Sequence, residues 1–405
     1  MNKVLVVAVA AMMILVGTFA WHEYNSPTLP RYNLNIGLNN TEIQNVTINN
    51  YAYHNIHSDW FNVTMTGYGN YTILFPYYVA YDGRINNTAQ VYLAHNTTIL
   101  FGIPNITLRI TTLDPNSSLV FQQMIHLNRT TFPFINKAFS NIAFFYINGT
   151  PIYAWLQSIT NNNATLWLKL NGSVNRTINI KIYGPTANEM NAKGYYGEAP
   201  QLSATYGQYD NGRNVFSLYD NFSSALEMSK YGWSGQNYNL SNGLVWNVPI
   251  GDRFYIVSNT IIPINNATIA EECVTSTLWD MDFTISSGNS ANDWNGHSIT
   301  SLAQPRVYGS VYGNNGLYGN SVNMSDGFIV LGYNVGVGIA YVNGIVWATI
   351  SGGLSGSNAK WYFSTGASAA YNGHIHWVRT RARPPNDVMP SSSSSLNFGP
   401  IYVGG

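Results

Sequence analysis

Ile178-Asn-Ile-Lys-Ile-Tyr183 decides the fold class, because apolar and polar residues alternate along it. Alternation with a period of two is typical of a half-buried β-strand. Five further runs of β-branched, aromatic and aliphatic residues share the pattern, at residues 71–75, 106–110, 142–146, 165–169 and 327–331. Turn signals such as Asn148-Gly149 separate the runs. No stretch beyond residue 21 shows convincing helical periodicity, so the sequence predicts an all-β chain.

The length of the chain predicts two or three β-sandwich domains after one N-terminal hydrophobic helix, because roughly 380 residues exceed a single sandwich. The predicted parts are a signal anchor or signal peptide at 1–21, a glycan-rich sandwich at 30–117, a second sandwich at 118–210, a third block at 212–385 and a tail at 386–405. In the tail, the run from Ser391 to Ser395 predicts a linker, followed by a possible final strand or a frayed end.

The segment from Val4 to Trp21 is an export signal, since it follows Lys3 and holds eighteen uncharged, mostly apolar residues. This length reaches the range of about 17–25 residues that a membrane span needs. A signal peptide that is cleaved after Ala20 is the alternative. We interpret residues 4–21 as an uncleaved anchor that leaves the rest of the chain outside the membrane.

Seventeen Asn-x-Ser/Thr acceptor triplets predict a heavily N-glycosylated extracellular surface. Thirteen of them precede residue 180, a clustering that an Asn- and Thr-rich composition does not easily supply by chance. The acceptors are Asn39, Asn45, Asn62, Asn70, Asn86, Asn96, Asn105, Asn116, Asn128, Asn148, Asn163, Asn171, Asn175, Asn221, Asn239, Asn266 and Asn323.

The composition narrows the class of protein. Only 9% of the residues are charged, whereas 45% are hydrophobic and 14% are aromatic, so we expect a globular chain with large cores. The formal net charge is zero, so the chain has no excess of positive charge that would attract nucleic acid. Because few carboxylates titrate, we expect stability to persist into acid. Cys273 is the single cysteine, so no internal disulfide is possible, and we expect it to be a small buried residue or an intermolecular bridge.

Three stretches of the second block have a sequence pattern, and an order along the chain, that also occur in a known family. They are Asn148-Gly-Thr-Pro-Ile-Tyr-Ala-Trp155, Ala164-Thr-Leu-Trp-Leu-Lys-Leu170 and Asn179-Ile-Lys-Ile-Tyr-Gly-Pro185. They resemble a domain of unknown function from archaeal and bacterial surface proteins, in which a DGTPLPYW-like hairpin precedes an IWVKV-like and an IYMYYGN-like strand. The resemblance implies that residues 118–210 form a β-sandwich of this family.

The resemblance extends into the third block. Residues 206–222 are similar to the junction after which such proteins have a concanavalin A-like jelly roll, which implies that fold for residues 212–385. The closing run at 374–390 resembles the WVRTRAYPPNGVMPSV-like tail of archaeal surface proteins and of some archaeal virus proteins. Asp387 stands where that tail has glycine, which puts the turn there in doubt. The family implies display and recognition at a surface.

Asp280 and Asp282 are the candidate acidic pair, because their spacing puts them on one face of a strand, as in jelly-roll glucanases. The third acidic residue of those enzymes is missing, since residues 284–286 are Thr, Ile and Ser. We therefore favour a solvated strand face over catalysis. Calcium is the one candidate metal for this pair, and no other cofactor is expected. Glu271 and Glu272 are expected at a turn or a sheet edge.

A closing strand supplies two further candidates. His374 and His376 have the spacing of a two-histidine metal site, but no third ligand is evident, and a surface or sheet-pairing role is favoured. Arg379, Arg381 and Arg383 form a predicted basic stripe that would bind anionic sugars or sulfated polymers. The favoured interpretation is an edge strand that charge protects from pairing with another chain.

Tyr308, Tyr312 and Tyr318 repeat a Tyr-Gly pattern in an uncharged, glycine-rich stretch. The pattern predicts a loop whose exposed aromatic rings stack on sugars or pack on a partner.

The function predicted from these observations is a non-enzymatic, N-glycosylated extracellular protein for adhesion, recognition or structural display on an archaeal cell envelope or virion. Its expected partners are the membrane through residues 4–21, glycans or a surface receptor, and further copies of itself. One alternative is a secreted polysaccharide hydrolase on a jelly-roll fold. Another is a filament or capsid subunit that assembles by strand addition. Standard catalytic and cofactor motifs are absent from the sequence.

Overall fold

The computed structural model describes residues 29–38, 45–54, 56, 60–81, 84–102, 105–111, 120–171, 176–184, 186–191, 193–263, 267–276, 281–286, 298–303, 306–312, 317–318, 322–323, 329–334, 339–342, 345–349, 358–365, 370–384, 389, 391–397 and 403–404. The chain divides into two compact units. Unit 1 contains residues 1–104 and 398–405, and unit 2 contains residues 105–397.

The first fourteen strands are β1 (Arg31–Leu38), β2 (Asn45–Ile48), β3 (Tyr51–His54), β4 (Trp60–Thr66), β5 (Gly69–Tyr81), β6 (Arg84–Leu93), β7 (Thr97–Phe101), β8 (Asn105–Thr111), β9 (Val120–Asn128), β10 (Ile142–Tyr146), β11 (Ala154–Thr160), β12 (Asn163–Asn171), β13 (Arg176–Ile182) and β14 (Tyr196–Glu198). Two short helices follow, α1 (Gly212–Val215) and α2 (Ala225–Lys230).

The later strands are β15 (Leu218–Asp220), β16 (Ser234–Gln236), β17 (Asn239–Leu240), β18 (Leu244–Val248), β19 (Tyr255–Val257), β20 (Ile262–Pro263), β21 (Thr268–Ser276), β22 (Met281–Ser286), β23 (Ser298–Ala303), β24 (Arg306–Tyr312), β25 (Leu317–Tyr318), β26 (Val322–Asn323), β27 (Ile329–Asn334), β28 (Ile339–Val342), β29 (Ile345–Thr349), β30 (Asn358–Thr365), β31 (Tyr371–Ala382), β32 (Ser391–Asn397) and β33 (Val403–Gly404). The prediction of an all-β chain is confirmed.

Unit 1 is a sandwich of two four-stranded sheets, with the strand orders β33-β7-β1-β4 and β3-β2-β5-β6. Alternate residues of both sheets point into one core, which contains Leu34 and Ile36 from the first sheet and Ile48 and Ile73 from the second. All four are 0% exposed. The unit therefore has its own hydrophobic core.

Unit 2 stacks four sheets. Two have four strands, in the orders β10-β13-β8-β32 and β14-β11-β12-β9. A third sheet has the order β17-β18-β31-β21-β27-β28-β29, with β15 beside β31. The fourth has the order β16-β19-β30-β22-β23-β24-β25, with β20 beside β30 and β26 beside β24. We call these four sheets C, D, E and F, in the order in which they are described above.

Successive sheets of unit 2 contact each other through buried aromatic side chains. Phe144 of sheet C meets Tyr196 of sheet D with ring centroids 5.4 Å apart. Trp155 of sheet D meets Trp377 of sheet E at 5.3 Å. Sheets E and F enclose a large hydrophobic core that includes Trp246, Trp361 and Phe363. The second and third predicted blocks therefore share a buried interface at sheets D and E.

Two features of the structure differ from the domain organisation predicted from the sequence. Strand β8 lies in unit 2, where it pairs with β13 and β32, although the boundary at 117 assigns it to the first block. The serine run that was predicted as a linker is strand β32, whose register pairs Ser391 with Thr111 and Asn397 with Asn105. A ladder of main-chain hydrogen bonds needs no apolar side chain, so the run forms a strand despite its composition.

No helix in the described ranges is long and apolar enough to cross a membrane. Residues 4–21, the predicted anchor, lie outside those ranges.

Candidate functional site

The acceptor asparagines whose side chains the structure describes lie at the surface of both units. Nine are exposed, namely Asn45, Asn62, Asn70, Asn86, Asn96, Asn148, Asn163, Asn171 and Asn239. Asn128 and Asn221 are half-buried. By contrast, Asn141 and Asn211, which belong to no acceptor triplet, are buried. The remaining predicted acceptors, Asn39, Asn105, Asn116, Asn175, Asn266 and Asn323, lie outside the described residues or have side chains that are not described.

The half-buried acceptors are engaged in hydrogen bonds. Asn221 donates its Nδ2 hydrogen to Asp210 Oδ2 at 2.7 Å, and its Oδ1 accepts from the Ser223 main-chain N–H at 3.1 Å. Asn128 Nδ2 donates to Asn163 Oδ1 at 2.8 Å. A glycan is attached through the side-chain nitrogen. Modification of Asn221 would therefore disturb its bond to the half-buried carboxylate of Asp210, so this triplet is poorly suited to carry sugar in the folded protein.

The predicted basic stripe is wrong for Arg379 and Arg381, because both are buried. Strand β31 lies between β18 and β21, so the favoured interpretation of an edge strand is wrong as well. Arg379 Nε donates to Glu271 Oε2 at 2.6 Å, and Arg381 Nε donates to Oε1 of the same carboxylate at 2.7 Å. Arg383 is half-buried. Two of the three cations thus neutralise an internal carboxylate.

Glu271 is therefore an internal residue of a central strand. The prediction of a turn or sheet-edge position is wrong. Strand β21 pairs with β31 on one side and with β27 on the other, and Glu271 and Glu272 are 2% and 1% exposed. Burial opposes the charged form of Glu271, but the guanidinium groups of Arg379 and Arg381 outweigh it and hold the pKa of Glu271 below its usual value. The carboxylate is thus charged and doubly ion-paired.

The Arg379 guanidinium is enclosed by aromatic rings from sheets D and E and from helix α1's C-terminus. Its central carbon lies 4.4–5.2 Å from the ring centroids of Trp155, Trp167, Phe216 and Trp377. Arg379 Nη2 also donates to Gln157 Oε1 at 2.8 Å, an oxygen that accepts from Trp167 Nε1 at 2.7 Å as well. Cation–π contacts are strongest where water is excluded. We refer to this set of residues, together with Glu271 and Arg381, as the arginine junction.

A β-bulge explains why one strand sends its side chains to two different cores. The register between β21 and β31 shifts between Cys273 and Val274, whose partners are Trp377 and Ile375. His376 is the extra residue. As a result Ile375 joins the core between sheets E and F, whereas Trp377 faces sheet D. Simple alternation had placed both residues on one face.

The two histidines lie side by side, with ring centroids 3.7 Å apart. His374 Nε2 is 2.6 Å from the Asn242 carbonyl oxygen, and His376 Nε2 is 3.0 Å from Thr275 Oγ1. Burial lowers the pKa of both, and the neighbouring His374 helps to lower that of His376 to about 3. Among the described residues, no group of three or more His, Cys, Asp or Glu side chains is placed to hold a metal ion.

The tyrosine repeat does not form one loop. Tyr308 and Tyr312 lie in β24, and Tyr318 lies in β25, where it pairs with Ser310. The loop prediction is therefore wrong, because these residues form a hairpin at one end of sheet F. Asp282 lies in β22, opposite Leu302 and Ser364, whereas Asp280 lies outside the described residues.

Sequence reasoning missed a buried carboxylate network in the junction at residues 206–222. Asp210 accepts hydrogen bonds from Trp155 Nε1, the Gly212 N–H, the Tyr219 hydroxyl and Asn221 Nδ2, at 2.7–3.0 Å. Asp220 accepts from Trp233 Nε1 and the Phe222 N–H, each at 2.9 Å. Burial raises the pKa of Asp220 to about 6, although these donors oppose it. The alternation of aspartate with aromatic residues was the one signal in the sequence.

Cys273 is buried, as predicted, and it lies in the aromatic core between sheets D and E. Burial raises the pKa of its thiol well above the usual range. The thiol is therefore protonated and packs as an apolar group.

Comparison with known proteins identifies a distant viral relative. No family model matches the chain. The chain is 24% identical over 353 residues to "Uncharacterized protein 562" of Sulfolobus islandicus rod-shaped virus 1, and the match covers 74% of this chain. The chain spans 59% of the length of that relative. The expected similarity to archaeal virus proteins is thus supported at a distance.

Solved structures resemble only part of the chain. A Bacillus licheniformis β-glucanase covers 40% of it, with 97% of the glucanase covered, a TM-score of 0.33 and 11% identity. An apo Crh5 transglycosylase covers 42%, with 85% of that chain, a TM-score of 0.32 and 14% identity. The metal-free Emp46p carbohydrate recognition domain covers 40%, with 94% of that chain, a TM-score of 0.31 and 14% identity. Scores this low indicate neither an activity nor a ligand for this chain.

Proposed function

We propose that the protein is a non-enzymatic, N-glycosylated display protein on the outside of an archaeal virion or cell envelope. It would be attached through residues 4–21 and would present the β-sandwiches of both units to the surroundings. The observation that carries the proposal is the exposure of the acceptor asparagines. Nine of the eleven with described side chains are exposed and none is buried.

The exposed acceptors are accessible for modification, and asparagines outside the triplets, such as Asn49, Asn161 and Asn237, are exposed as well. Asparagines in a chain of this composition also occupy buried positions, as Asn141 and Asn211 do. Asn141 donates its Nδ2 hydrogens to the carbonyl oxygens of Phe134 and Tyr183, each at 3.1 Å, and stands outside any triplet. A coating of glycans would also compensate for the shortage of charge, since 9% of residues are charged and net charge otherwise keeps protein surfaces apart.

The carboxylates of Glu271 and Asp210 in unit 2 fit structural roles. Both oxygens of Glu271 are ion-paired with arginine, and Asp210 accepts from four donors. A glycoside hydrolase needs a nucleophile and a protonated acid that both reach substrate. Glu271 is 2% exposed, and both oxygens of the half-buried Asp210 accept from protein donors. A display role therefore requires fewer assumptions than catalysis for these residues.

The test is mass spectrometry of the protein from its native particles or envelope. The N-terminal peptide and the occupancy of each acceptor asparagine are measured together. We expect a peptide that begins at Met1 or Asn2 and sugar on most of the nine exposed acceptors, with Asn221 bare. Bare asparagines throughout, combined with a start at Trp21, would remove both the anchor and the glycan coat, and the proposal with them.

A further inference from the structure

A groove of about 610 Å³ lies beside two of the exposed acceptors in unit 2. Its lining includes Tyr146 at the end of β10 and Ile147 and Asn148 in the turn that follows. Asn171 at the end of β12 and Arg176 at the start of β13 form the other side. Pockets that hold small molecules have volumes of about 300–1,000 Å³. The groove therefore has room for more than one sugar unit, and two acceptor residues form part of its wall.

The walls of the groove are held in place by hydrogen bonds. The Asn171 N–H donates to the Tyr146 hydroxyl oxygen at 3.2 Å. Arg176 Nη2 donates to the Asn171 carbonyl oxygen, and its guanidinium carbon lies 5.6 Å from the centroid of the Tyr146 ring. In the turn, the Gly149 N–H donates to the Tyr146 carbonyl oxygen at 2.9 Å. The site is thus largely formed before any ligand enters, which limits the entropy lost on binding.

The turn directs the attachment atom of Asn148. Asn148 Oδ1 accepts from the Thr150 main-chain N–H at 3.1 Å, so the amide is fixed within its own acceptor triplet. Asn148 and Thr150 both line the groove. Because Oδ1 is engaged with the main chain, Nδ2 is the end of the side chain that remains for a sugar. A glycan at this position would begin at the rim of the groove.

Ile147 supplies an apolar surface that is largely exposed to solvent. Its side chain is 60% exposed beside the acceptor. The faces of sugar rings that carry C–H groups pack on apolar and aromatic side chains, while their hydroxyls accept from donors such as guanidinium. Ile147, Tyr146 and Arg176 offer these features within one groove.

We infer that the first sugars of a glycan on Asn148 lie in this groove, which makes it an intramolecular carbohydrate-binding site. The inference rests on the proposed function, since it requires that Asn148 is modified. The glycan would then be part of the folded structure and would hold the β10 turn against the start of β13. Acceptors such as Asn62 in β4 belong to unit 1, whereas the groove belongs to unit 2.

The experiment is hydrogen–deuterium exchange on the glycosylated protein and on its Asn148→Gln variant. We expect the amides of residues 144–152 and 176–182 to exchange at least threefold faster in the variant. Asn62→Gln, which removes another exposed acceptor, should leave both segments unchanged. Ile147→Ser keeps the acceptor, so it should leave occupancy intact and still speed exchange in both segments. Wild-type and Asn148→Gln proteins from a bacterial host without N-glycosylation measure the change that comes from the lost Asn148–Thr150 hydrogen bond alone. The sugar's contribution is the further increase in exchange seen between the glycosylated wild type and the variant.

The outcomes distinguish this inference from the proposed function. An Asn148 glycan that is present but whose removal leaves exchange unchanged would show that the sugar projects into solvent, and the inference would fail. A bare Asn148 among otherwise occupied acceptors would also overturn it, while the display proposal would stand. Bare asparagines at every position would overturn both.

Discussion

Glu271 shows how a single buried carboxylate can organise two sheets. It binds Arg379 and Arg381 from the neighbouring strand, and Arg379 in turn contacts aromatic rings of sheet D. The spacing of arginines in the closing strand is visible in the sequence, but their partner is not. Glu271 precedes Arg379 by 108 residues, and no local pattern links the two. The same residue types therefore predicted a solvent-exposed stripe.

Glu271→Gln should destabilise unit 2 strongly, because it leaves two buried guanidinium groups without a counter-charge. Breaking a buried ion pair by removal of one partner costs about 3–5 kcal/mol. Urea denaturation followed by circular dichroism measures the free energy of unfolding. The control is Asp252→Asn, which removes an exposed carboxylate and should change stability by less than about 0.5 kcal/mol. Equal effects of the two substitutions would contradict the role assigned to Glu271.

Asp220 should contribute more to the free energy of unfolding in mild acid than at neutral pH. Burial raises its folded-state pKa from an ordinary value of 3.8 to about 6. A raised pKa means that the folded state binds the proton more tightly, so this contribution is complete below about pH 4 and is lost as pH rises through 6. A difference of about two pKa units corresponds to roughly 3 kcal/mol.

The Asp220→Asn variant isolates that contribution, since its amide does not titrate. The stability of the wild type relative to the variant should fall between pH 4 and pH 7, as measured by urea denaturation. The comparison is needed because His376 acts in the opposite direction. Its folded-state pKa is lowered to about 3, so its contribution is present above pH 6.5 and is lost as pH falls. A constant difference between the two proteins would argue against the raised pKa of Asp220.

At the scale of single elements, strands were predictable where one face is buried and the other is not. The run at 178–183 overlaps β13, whose alternate residues Ile178, Ile180 and Ile182 are all 0% exposed. Strand β31 was not predictable in the same way, because its bulge at His376 reverses the orientation of every later side chain. Strand β32 was missed since all five serines are exposed and only main-chain pairing holds them.

Strand β32 should therefore be sensitive to proline and insensitive to other substitutions. Main-chain N–H groups of a strand point alternately to its two sides, so either Ser393→Pro or Ser394→Pro must remove a hydrogen bond to β8. We expect one of these variants to lower the thermal midpoint by several degrees, and Ser393→Ala and Ser394→Ala to have no effect. Differential scanning fluorimetry of the four proteins measures this. If both proline variants have the same thermal midpoint as the wild type, the pairing of β32 with β8 is not maintained in solution.

For the whole molecule, composition and alternation predicted several β-sandwiches, and the structure groups their strands into two units. What could not be predicted is the stacking of sheets D and E, because Trp155, Trp167 and Trp377 resemble ordinary core residues of separate domains. Their shared core also contains Cys273, Phe216 and Tyr219. Long-range contacts of this kind leave no periodic signal in one sequence.

Residues 212–384 should accordingly fail to fold as an independent jelly roll. Their sheet E would expose Trp377, Arg379 and Glu271 on the face that sheet D covers in the intact unit. Exposed apolar patches of this kind promote aggregation. A fragment of residues 105–397, which retains all four sheets, should be monomeric with a single unfolding transition. Size-exclusion chromatography with light scattering compares the two, and a monomeric, cooperatively folded 212–384 fragment would refute the importance of the junction.

The burial of Arg379 and Arg381 also affects how readily proteases cleave the folded protein. Enzymes that cleave after lysine or arginine need an accessible cation on a mobile segment. Beyond Arg253, no lysine or arginine whose side chain is described is exposed, since Lys360 and Arg383 are half-buried and the other two are internal. While the protein is folded, the described side chains of sheets E and F beyond Arg253 therefore offer trypsin-like enzymes few accessible cations.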